Sequence, residues 1–157
     1  MRVSEQPSDS GPDKWMEVAL QEARQAASEG EVPVGAVVIQ GDEMISRDHN
    51  RCIQLNDPTA HAEILALKAA GRALENYRLN ETSVFITLEP CAMCAGALVW
   101  ARVSKVIFGA WDEKSGAAGS KVNLFSPGLF NHTVEVIGGV LDEPCREILR
   151  SFFSERR

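Results

Sequence analysis

Two short motifs, well separated in the chain, constrain its fold more than any other feature: His61-Ala62-Glu63 and Pro90-Cys91-Ala92-Met93-Cys94. One histidine and a Cys-x-x-Cys pair supply three ligands of the kind that zinc prefers. Because proline is tolerated at a helix start, Pro90 predicts that a helix begins at the cysteines. Residues two apart do not face each other on a helix, so His61 must lie at the start of its helix if Glu63 is to share its site. The fold must therefore bring two helix N-termini together around one metal.

The number of ligands separates a catalytic metal site from a structural one. A structural zinc site fills all four tetrahedral positions with protein, whereas a catalytic site leaves one position open for water. His61, Cys91 and Cys94 give three ligands, and Glu63 is placed to accept and return the proton of that water. We therefore predict a catalytic zinc site, with one Zn²⁺ per chain. A structural zinc clip or a pair of buried cysteines remains the alternative, because Cys-x-x-Cys by itself is a weak signal.

Length and composition are those of an ordinary globular domain. The chain has 157 residues, of which 45% are hydrophobic and 24% charged, enough for one hydrophobic core. We predict a loose tail over residues 1–12 and a single zinc-binding domain over residues 13–157. No apolar run approaches a membrane span, and the N-terminus lacks a signal-peptide core, so we expect no membrane partner and a cytoplasmic location. The net charge of −6 does not favour a nucleic-acid partner, which would need local Lys and Arg.

Apolar periodicity predicts alternating helices and strands. Helices are expected over residues 13–29, 59–77, 91–100 and 141–153, and strands over residues 34–39, 43–47, 84–88, 103–109 and 133–137. We interpret 48–56 as a loop and 112–127 as a loop with a short helix. This alternation is typical of an α/β protein. We therefore predict a three-layer α-β-α sandwich around a mixed five-stranded sheet.

From about residue 31 to residue 153, the sequence resembles the bacterial tRNA-specific adenosine deaminases, a branch of the cytidine-deaminase superfamily. The whole superfamily of zinc nucleobase deaminases shares the metal motifs. The Gly-Ala-Ala-Gly-Ser stretch at 116–120 and the Phe152-Phe153 pair indicate the tRNA branch more narrowly. The resemblance implies a cytidine-deaminase-like fold, a homodimer, and hydrolytic deamination of the wobble adenosine in a tRNA anticodon arm to inosine.

The resemblance also implies contacts with the substrate. Asn50 matches a family position that contacts the target nucleoside, although an Asn in a polar loop can also simply stabilise that loop. Asp112 matches a position near the neighbouring nucleotides, and Phe153 one near the bound anticodon loop.

Charged residues of the last predicted helix are candidates for phosphate contacts. At helical spacing, Arg146, Arg150 and Arg157 share one stripe with Phe153. We predict that Arg150 and Arg157 meet RNA phosphates while Phe153 stacks on a base. The alternative is a charged helix flank that is merely solvated.

Two other functions remain open from the residues themselves. A free nucleobase or nucleoside deaminase, acting on guanine or cytosine, would use the same zinc motif. An inactive RNA-binding subunit would not need Glu63, so that residue argues against this reading. We interpret His49 and His132 as surface or hydrogen-bonding histidines rather than ligands. Trp15 and Trp100 are predicted to pack in the interior, which leaves Trp111 as the candidate for base stacking.

Overall fold

The structure, a computed structural model, describes residues 11–156. Its helices are α1 (Pro12–Ser28), α2 (Cys52–Leu55), α3 (Ala62–Leu74), α4 (Ala92–Trp100) and α5 (Asp142–Ser154). Its strands are β1 (Gly35–Gln40), β2 (Glu43–His49), β3 (Thr82–Leu88), β4 (Lys105–Ala110) and β5 (Glu135–Ile137). Most of the predicted tail, residues 1–10, and Arg157 lie outside the described residues.

The five strands form one mixed sheet in the order β2-β1-β3-β4-β5. Strand β1 is antiparallel to both β2 and β3, whereas β3, β4 and β5 are parallel to one another. Ligands of open α/β sheets bind at the carboxyl ends of the strands. The chain leaves β3 at Leu88 and reaches the Pro90 motif at that edge, so the topology places the cysteines there.

Helices cover both faces of the sheet, which confirms the predicted three-layer sandwich. Helices α3 and α4 pack on one face over Val38 and Phe108. Helices α1 and α5 pack on the other face over Val37 and Ile107. Neighbouring residues of a strand point to opposite faces, so the continuous apolar runs in β1 and β4 serve both layers at once.

Helix α3, which follows His61, is shorter than its sequence pattern predicts. Helix α3 begins at Ala62 instead of Thr59, because the Asp57 carboxylate accepts hydrogen bonds from the backbone N–H of Thr59 at 2.8 Å and from its hydroxyl at 2.7 Å. Such an Asx turn competes with the first helical turn. At the other end, Glu75 adopts a left-handed conformation with φ 53° and ends the helix. These two turns give α3 the range Ala62–Leu74.

Two segments differ in kind from their prediction. The loop predicted over 48–56 contains the end of β2 and the short helix α2, and the described residues 112–127 contain turns and an isolated bridge but no helix. Each segment is held by a buried carboxylate elsewhere in the chain: Glu31 for the first and Glu89 for the second. None of the described helices has the length and the hydrophobicity that a bilayer crossing requires.

Candidate active site

The N-termini of α3 and α4 meet at one point. His61 is the N-cap of α3 and Cys91 the N-cap of α4, with Cys94 in the first turn of α4. The Nδ1 atom of His61 lies 3.7 Å from Cys91 Sγ and 3.4 Å from Cys94 Sγ. The positive ends of two helix dipoles favour thiolates at this point.

The distances between the donor atoms fit a tetrahedral zinc ion. The ligand atoms of His61, Cys91 and Cys94 all lie within 4.8 Å of one another. Zinc bonds of about 2.3 Å to sulfur and about 2.0 Å to nitrogen, at tetrahedral angles, separate S from N by about 3.5 Å. The observed 3.7 and 3.4 Å lie on either side of that value. Hydrogen bonds from Cys94 and His61 lower the pKa of the Cys91 thiol to about 3, so this sulfur is ready to bind a cation.

Glu63 lies beside the three ligands, near the start of α3. Its side chain is buried, with 4% of the residue exposed, and it lines the same cavity as His61 and Cys91. Burial raises the pKa of Glu63 to about 7, because the charged form loses its hydration. A carboxyl group with such a pKa can both accept and donate a proton near neutral pH.

The cavity around these groups has the size and lining of a binding site for a small ring. Its volume is about 330 Å³, within the range of ligand pockets. Apolar walls come from Val34 and Leu88, and polar groups from Asn50, Asp112 and Glu63. A flat heterocycle could be held between the apolar walls while the polar groups fix its orientation.

Asn50 connects this cavity to helix α3. Its side-chain oxygen accepts a hydrogen bond from the backbone N–H of Ala62 at 2.8 Å, which satisfies a donor that the first helical turn leaves free. That bond fixes the carboxamide at the cavity wall and leaves its NH₂ group as the donor for a ligand. Asn50 therefore stabilises local structure and lines the cavity at the same time.

Glu31 also lines this cavity, although its sequence context had not indicated a role for it. Its buried carboxylate accepts hydrogen bonds from the backbone N–H groups of Ile53 at 3.2 Å and Gln54 at 2.7 Å. These are the free donors at the start of α2, so Glu31 explains why this short helix forms within a predicted loop.

Glu89 likewise accepts hydrogen bonds from backbone N–H groups, in this case from the loop over residues 112–120. Its carboxylate accepts hydrogen bonds from the backbone N–H groups of Asp112 at 2.9 Å, Ala118 at 2.9 Å and Ser120 at 3.0 Å, and from the Ser120 hydroxyl. Burial raises the pKa of Glu89, but these hydrogen bonds lower it more, so the net pKa lies below its usual value. A side chain at Gly116 would collide with this carboxylate, since a Cβ there would lie 2.2 Å from its carbon.

A second, larger cavity continues from the first. It has a volume of about 740 Å³. It shares four lining residues with the cavity around Glu63, namely Val32, Leu88, Asp112 and Ser115. Its far wall comes from α5 and from the loop before Asp112. That wall is formed by Trp111, Arg146, Leu149 and Phe153.

The structure brings some of the predicted substrate residues to these cavities and leaves others aside. Asn50, Asp112 and Phe153 line one cavity or the other, and Phe153 is 47% exposed. Arg150 does not line either cavity and pairs with Glu147 at 3.0 Å on its own helix. The predicted contact of Arg157 lies outside the described residues. Arg146 lines the second cavity. The sequence placed Arg146 on the same helix stripe as Phe153 but did not predict a contact for it.

His49 is buried, with 2% exposed, and its ring hydrogen-bonds to Glu22, so it is a hydrogen-bonding histidine as predicted. One prediction about a single residue is wrong. Trp100 does not pack in the interior, because it lies opposite the face of α4 that carries Leu98 and Val99 and is 75% exposed. His132 hydrogen-bonds to the carbonyl oxygen of Val103 at 2.7 Å, as a hydrogen-bonding histidine should.

Comparison with known sequences identifies proteins that are similar to this chain. The family model described as MafB19-like deaminase matches residues 11–157. The chain is 46% identical over 143 residues to the tRNA-specific adenosine deaminase of Bacillus subtilis (strain 168), covering 91% of this chain and 89% of that protein. It is 45% identical over 146 residues to the protein of the same name from Haemophilus influenzae, covering 92% and 84% respectively.

Comparison with solved structures finds matches to a tRNA deaminase and to a guanine deaminase. A structure from a study of A-to-I editing by tRNA:A34 deaminases matches with a TM-score of 0.84 and 43% identity, over 87% of this chain and 99% of that one. A guanine deaminase from Bacillus subtilis matches with a TM-score of 0.62 and 33% identity, over 65% of this chain and 66% of that one. The chain therefore belongs to the MafB19-like deaminase family and, within it, to the tRNA-specific adenosine deaminases.

Proposed function

We propose that this protein is a zinc-dependent hydrolase that converts the wobble adenosine of a tRNA anticodon to inosine. The observation that carries the proposal is the cavity in which three zinc-type ligands and a buried carboxylate meet. Its support in sequence is the identity of 46% and 45% to two tRNA-specific adenosine deaminases over nearly the whole chain.

The chemistry divides between the metal and Glu63. His61 Nδ1 and the thiolates of Cys91 and Cys94 would hold one zinc ion per chain. A bound zinc ion supplies the Lewis acidity that makes water a nucleophile near neutral pH. Glu63 would accept one proton of the attacking water and donate it to the ring nitrogen next to C6 as the water oxygen bonds to C6 of adenine. It would then take the second proton from the new C6 hydroxyl and deliver it to the amino nitrogen, so that the C6–N bond breaks, ammonia leaves and the C6 carbonyl of inosine forms. Its raised pKa suits both directions of proton transfer.

The target base has to leave its stack to enter the cavity. An anticodon loop allows this more readily than a duplex does, because its bases are unpaired. Val34 and Leu88 would contact the faces of the base, and the NH₂ group of Asn50 would donate a hydrogen bond to the nucleoside. Asp112 lies where the two cavities join, so it would face the adjacent nucleotide.

The second cavity offers the path for the rest of the anticodon arm. Phe153 and Trp111 present exposed rings on which bases can stack. Arg146 lies beside them. Arg150 on α5 and Arg157, which lies outside the described residues, are our candidates for contacts with the RNA phosphates. Because Asp142, Glu143 and Glu147 pair with Arg146 and Arg150, stacking carries more of the binding than charge does.

We further propose that the protein is a cytoplasmic homodimer. Tyr77 and Trp100 are 77% and 75% exposed and border an apolar groove of about 700 Å³ between α3 and α4. Exposed apolar surface of this kind marks a contact surface between proteins. A second copy of the chain is the partner that the family resemblance implies, and a tRNA substrate implies the cytoplasm.

One experiment separates this function from its main alternative. Purified zinc-loaded protein is incubated with total tRNA, and inosine is mapped by sequencing; in parallel it is given free guanine, cytosine and their nucleosides. We expect inosine at the first anticodon position and no release of ammonia from the free compounds. The match to a guanine deaminase supports the alternative, a deaminase of free bases or nucleosides. Activity on free guanine without inosine in tRNA would establish that alternative.

A further inference from the structure

A buried histidine lies directly behind Asn50. His49 is clamped between Glu22 of α1 and Glu29, the residue that follows α1: its Nδ1 is 2.7 Å from Glu22 Oε1, and its Nε2 is 2.8 Å from Glu29 Oε1. A carboxylate only accepts hydrogen bonds, so both ring nitrogens must carry protons for both bonds to form. The ring that fits this arrangement is therefore the imidazolium. We call His49 with Glu22 and Glu29 the histidine clamp.

Neighbouring arginines complete the charge balance around the histidine clamp. Arg47 pairs with the second oxygen of Glu22 at 2.5 Å, and Arg51 pairs with Asp48 at 2.8 Å and lies 4.0 Å from Glu29. Asp48 is itself 3.9 Å from His49 Nδ1. Three cationic groups thus face three carboxylates, so the cluster is a balanced ion-pair network and has no excess negative charge to attract a metal.

The histidine clamp is connected to the active-site cavity by a single peptide bond. His49 is the last residue of β2 and pairs with Gly35 of β1. The next residue, Asn50, leaves the sheet: its N–H donates to the carbonyl oxygen of Val34 at 3.2 Å and its side-chain oxygen accepts from Ala62 at 2.8 Å. Where α1 holds the ring of His49 therefore decides where the carboxamide of Asn50 meets the start of α3.

We propose that the histidine clamp positions Asn50 for the reaction, so that His49, Glu22 and Glu29 are positioning residues on the far side of the sheet edge from the metal. The proposal rests on the proposed function, in which Asn50 binds the target nucleoside. Removing a partner of a charged buried group leaves the other uncompensated. Loss of one carboxylate therefore lets the ring shift, and Asn50 shifts with it.

Glu29→Ala is the variant that tests this most cleanly, because 31% of the Glu29 side chain is exposed and its removal leaves no large cavity. With a zinc-loaded enzyme and an anticodon stem-loop as substrate, we expect KM to rise about three- to tenfold, the size of one lost hydrogen bond, with a smaller change in kcat. Glu29→Gln keeps an acceptor oxygen for Nε2 and should recover most of the loss. Glu17→Ala, at an exposed glutamate of α1, is the control and should behave as wild type.

A double-mutant cycle separates positioning from general structural support. In an Asn50→Ala background the histidine clamp has no carboxamide left to position, so Glu29→Ala should lower kcat/KM no further. If the two single losses instead multiply, Glu29 does not act through Asn50 and the proposal is overturned.

Hydrogen exchange gives a readout that does not depend on activity. The backbone N–H of Ala62 is held by the Asn50 side chain, so its exchange should be about three- to tenfold faster in Glu29→Ala and unchanged in Glu17→Ala. An unchanged rate at Ala62 overturns the proposal. If wild-type protein forms no inosine while exchange at Ala62 responds as expected, the proposed function fails and the positioning of Asn50 stands.

Discussion

Glu63 is buried at the start of α3, the helix whose N-cap, His61, is one of the three proposed zinc ligands. Burial raises the pKa of Glu63 to about 7, and its carboxylate is not one of the three proposed ligands. Glu63→Gln should therefore retain about one zinc per chain and lose about 10²–10⁴-fold in turnover, the usual contribution of a general acid–base group. Metal analysis and single-turnover inosine formation measure the two effects, with Glu17→Gln as control. Near-normal turnover in Glu63→Gln would remove this residue from the mechanism.

The two roles of Asn50 can be separated by its substitutions. Asn50→Ala removes both the acceptor for Ala62 and the donor for the nucleoside, so it should lower the free energy of unfolding by about 0.5–2 kcal/mol, as lost helix caps do, and also lower kcat/KM. Asn50→Asp keeps the acceptor and loses only the donor. It should unfold like wild type and still show the kinetic defect. Chemical denaturation and stem-loop kinetics on both variants test this, and normal kinetics for Asn50→Asp would leave Asn50 with a structural role alone.

Sequence reasoning at this scale succeeded where the partners are close together in the chain. Cys91 and Cys94 lie one helix turn apart, and His61 at the N-cap precedes Glu63 by two residues at the start of α3, so both relations are visible in the local sequence. The partners of Glu89 lie 23 to 31 residues away, and those of His49 lie 20 and 27 residues away on another layer. No local pattern encodes such pairings, so these buried charges became visible only in the folded chain.

Among the elements, the loop over residues 112–120 depends on one carboxylate. Glu89→Gln would direct an NH₂ group at backbone N–H donors and should lower the free energy of unfolding by about 1–3 kcal/mol near pH 7. The pKa of Glu89 is lowered from 4.5 in the fold, so its contribution is present above about that pH and is lost as the pH falls through the folded-state pKa. The difference between wild type and Glu89→Gln should therefore shrink in acid.

Urea unfolding of the metal-free proteins at a series of pH values from 7 downwards measures this difference. Glu113→Gln, an exposed change in the same loop, should match wild type at every pH. A constant difference between Glu89→Gln and wild type would mean that the carboxylate is not held ionised by the loop.

Helix α5 carries the prediction about RNA binding. Arg150 is 57% exposed at its side chain but pairs with Glu143 and Glu147, so binding a phosphate requires it to exchange partners. The double change Arg150→Ala with Arg157→Ala should still weaken tRNA binding and reduce the salt slope by about one to two units, since fewer counterions are released. Phe153→Ala should weaken binding with little change in slope, because stacking releases no counterions.

Filter binding over a range of salt concentrations gives both quantities, and Lys14→Ala, a basic residue of α1, is the control. An unchanged slope in the double variant would place the RNA backbone on another face of the protein.

The ends of the helices show why helix propensity alone was insufficient to predict where each helix begins. The order of strands and long helices followed from apolar periodicity, because a sheet covered on both faces leaves that pattern in the sequence. The start of α3 and the existence of α2 did not follow from periodicity. The turn at Asp57 sets the start of α3, and the hydrogen bonds from the start of α2 to Glu31 stabilise that helix. Side-chain hydrogen bonds to backbone groups outweigh small differences in helix propensity at these ends.

For the whole molecule, the net charge of −6 leaves tRNA binding to local surfaces, and an exposed apolar surface lies around Tyr77 and Trp100. Trp100→Glu adds a charge at the edge of the groove between α3 and α4, where a second copy of the chain would have to desolvate it. We expect a wild-type dimer and a monomeric Trp100→Glu at micromolar concentration, both folded and zinc-loaded, by light scattering after gel filtration. Arg24→Glu, which changes exposed charge on α1 at the opposite face of the sheet, should stay dimeric. If the anticodon loop binds near the interface, Trp100→Glu also loses activity on tRNA, whereas a dimeric Trp100→Glu would place the contact between subunits elsewhere.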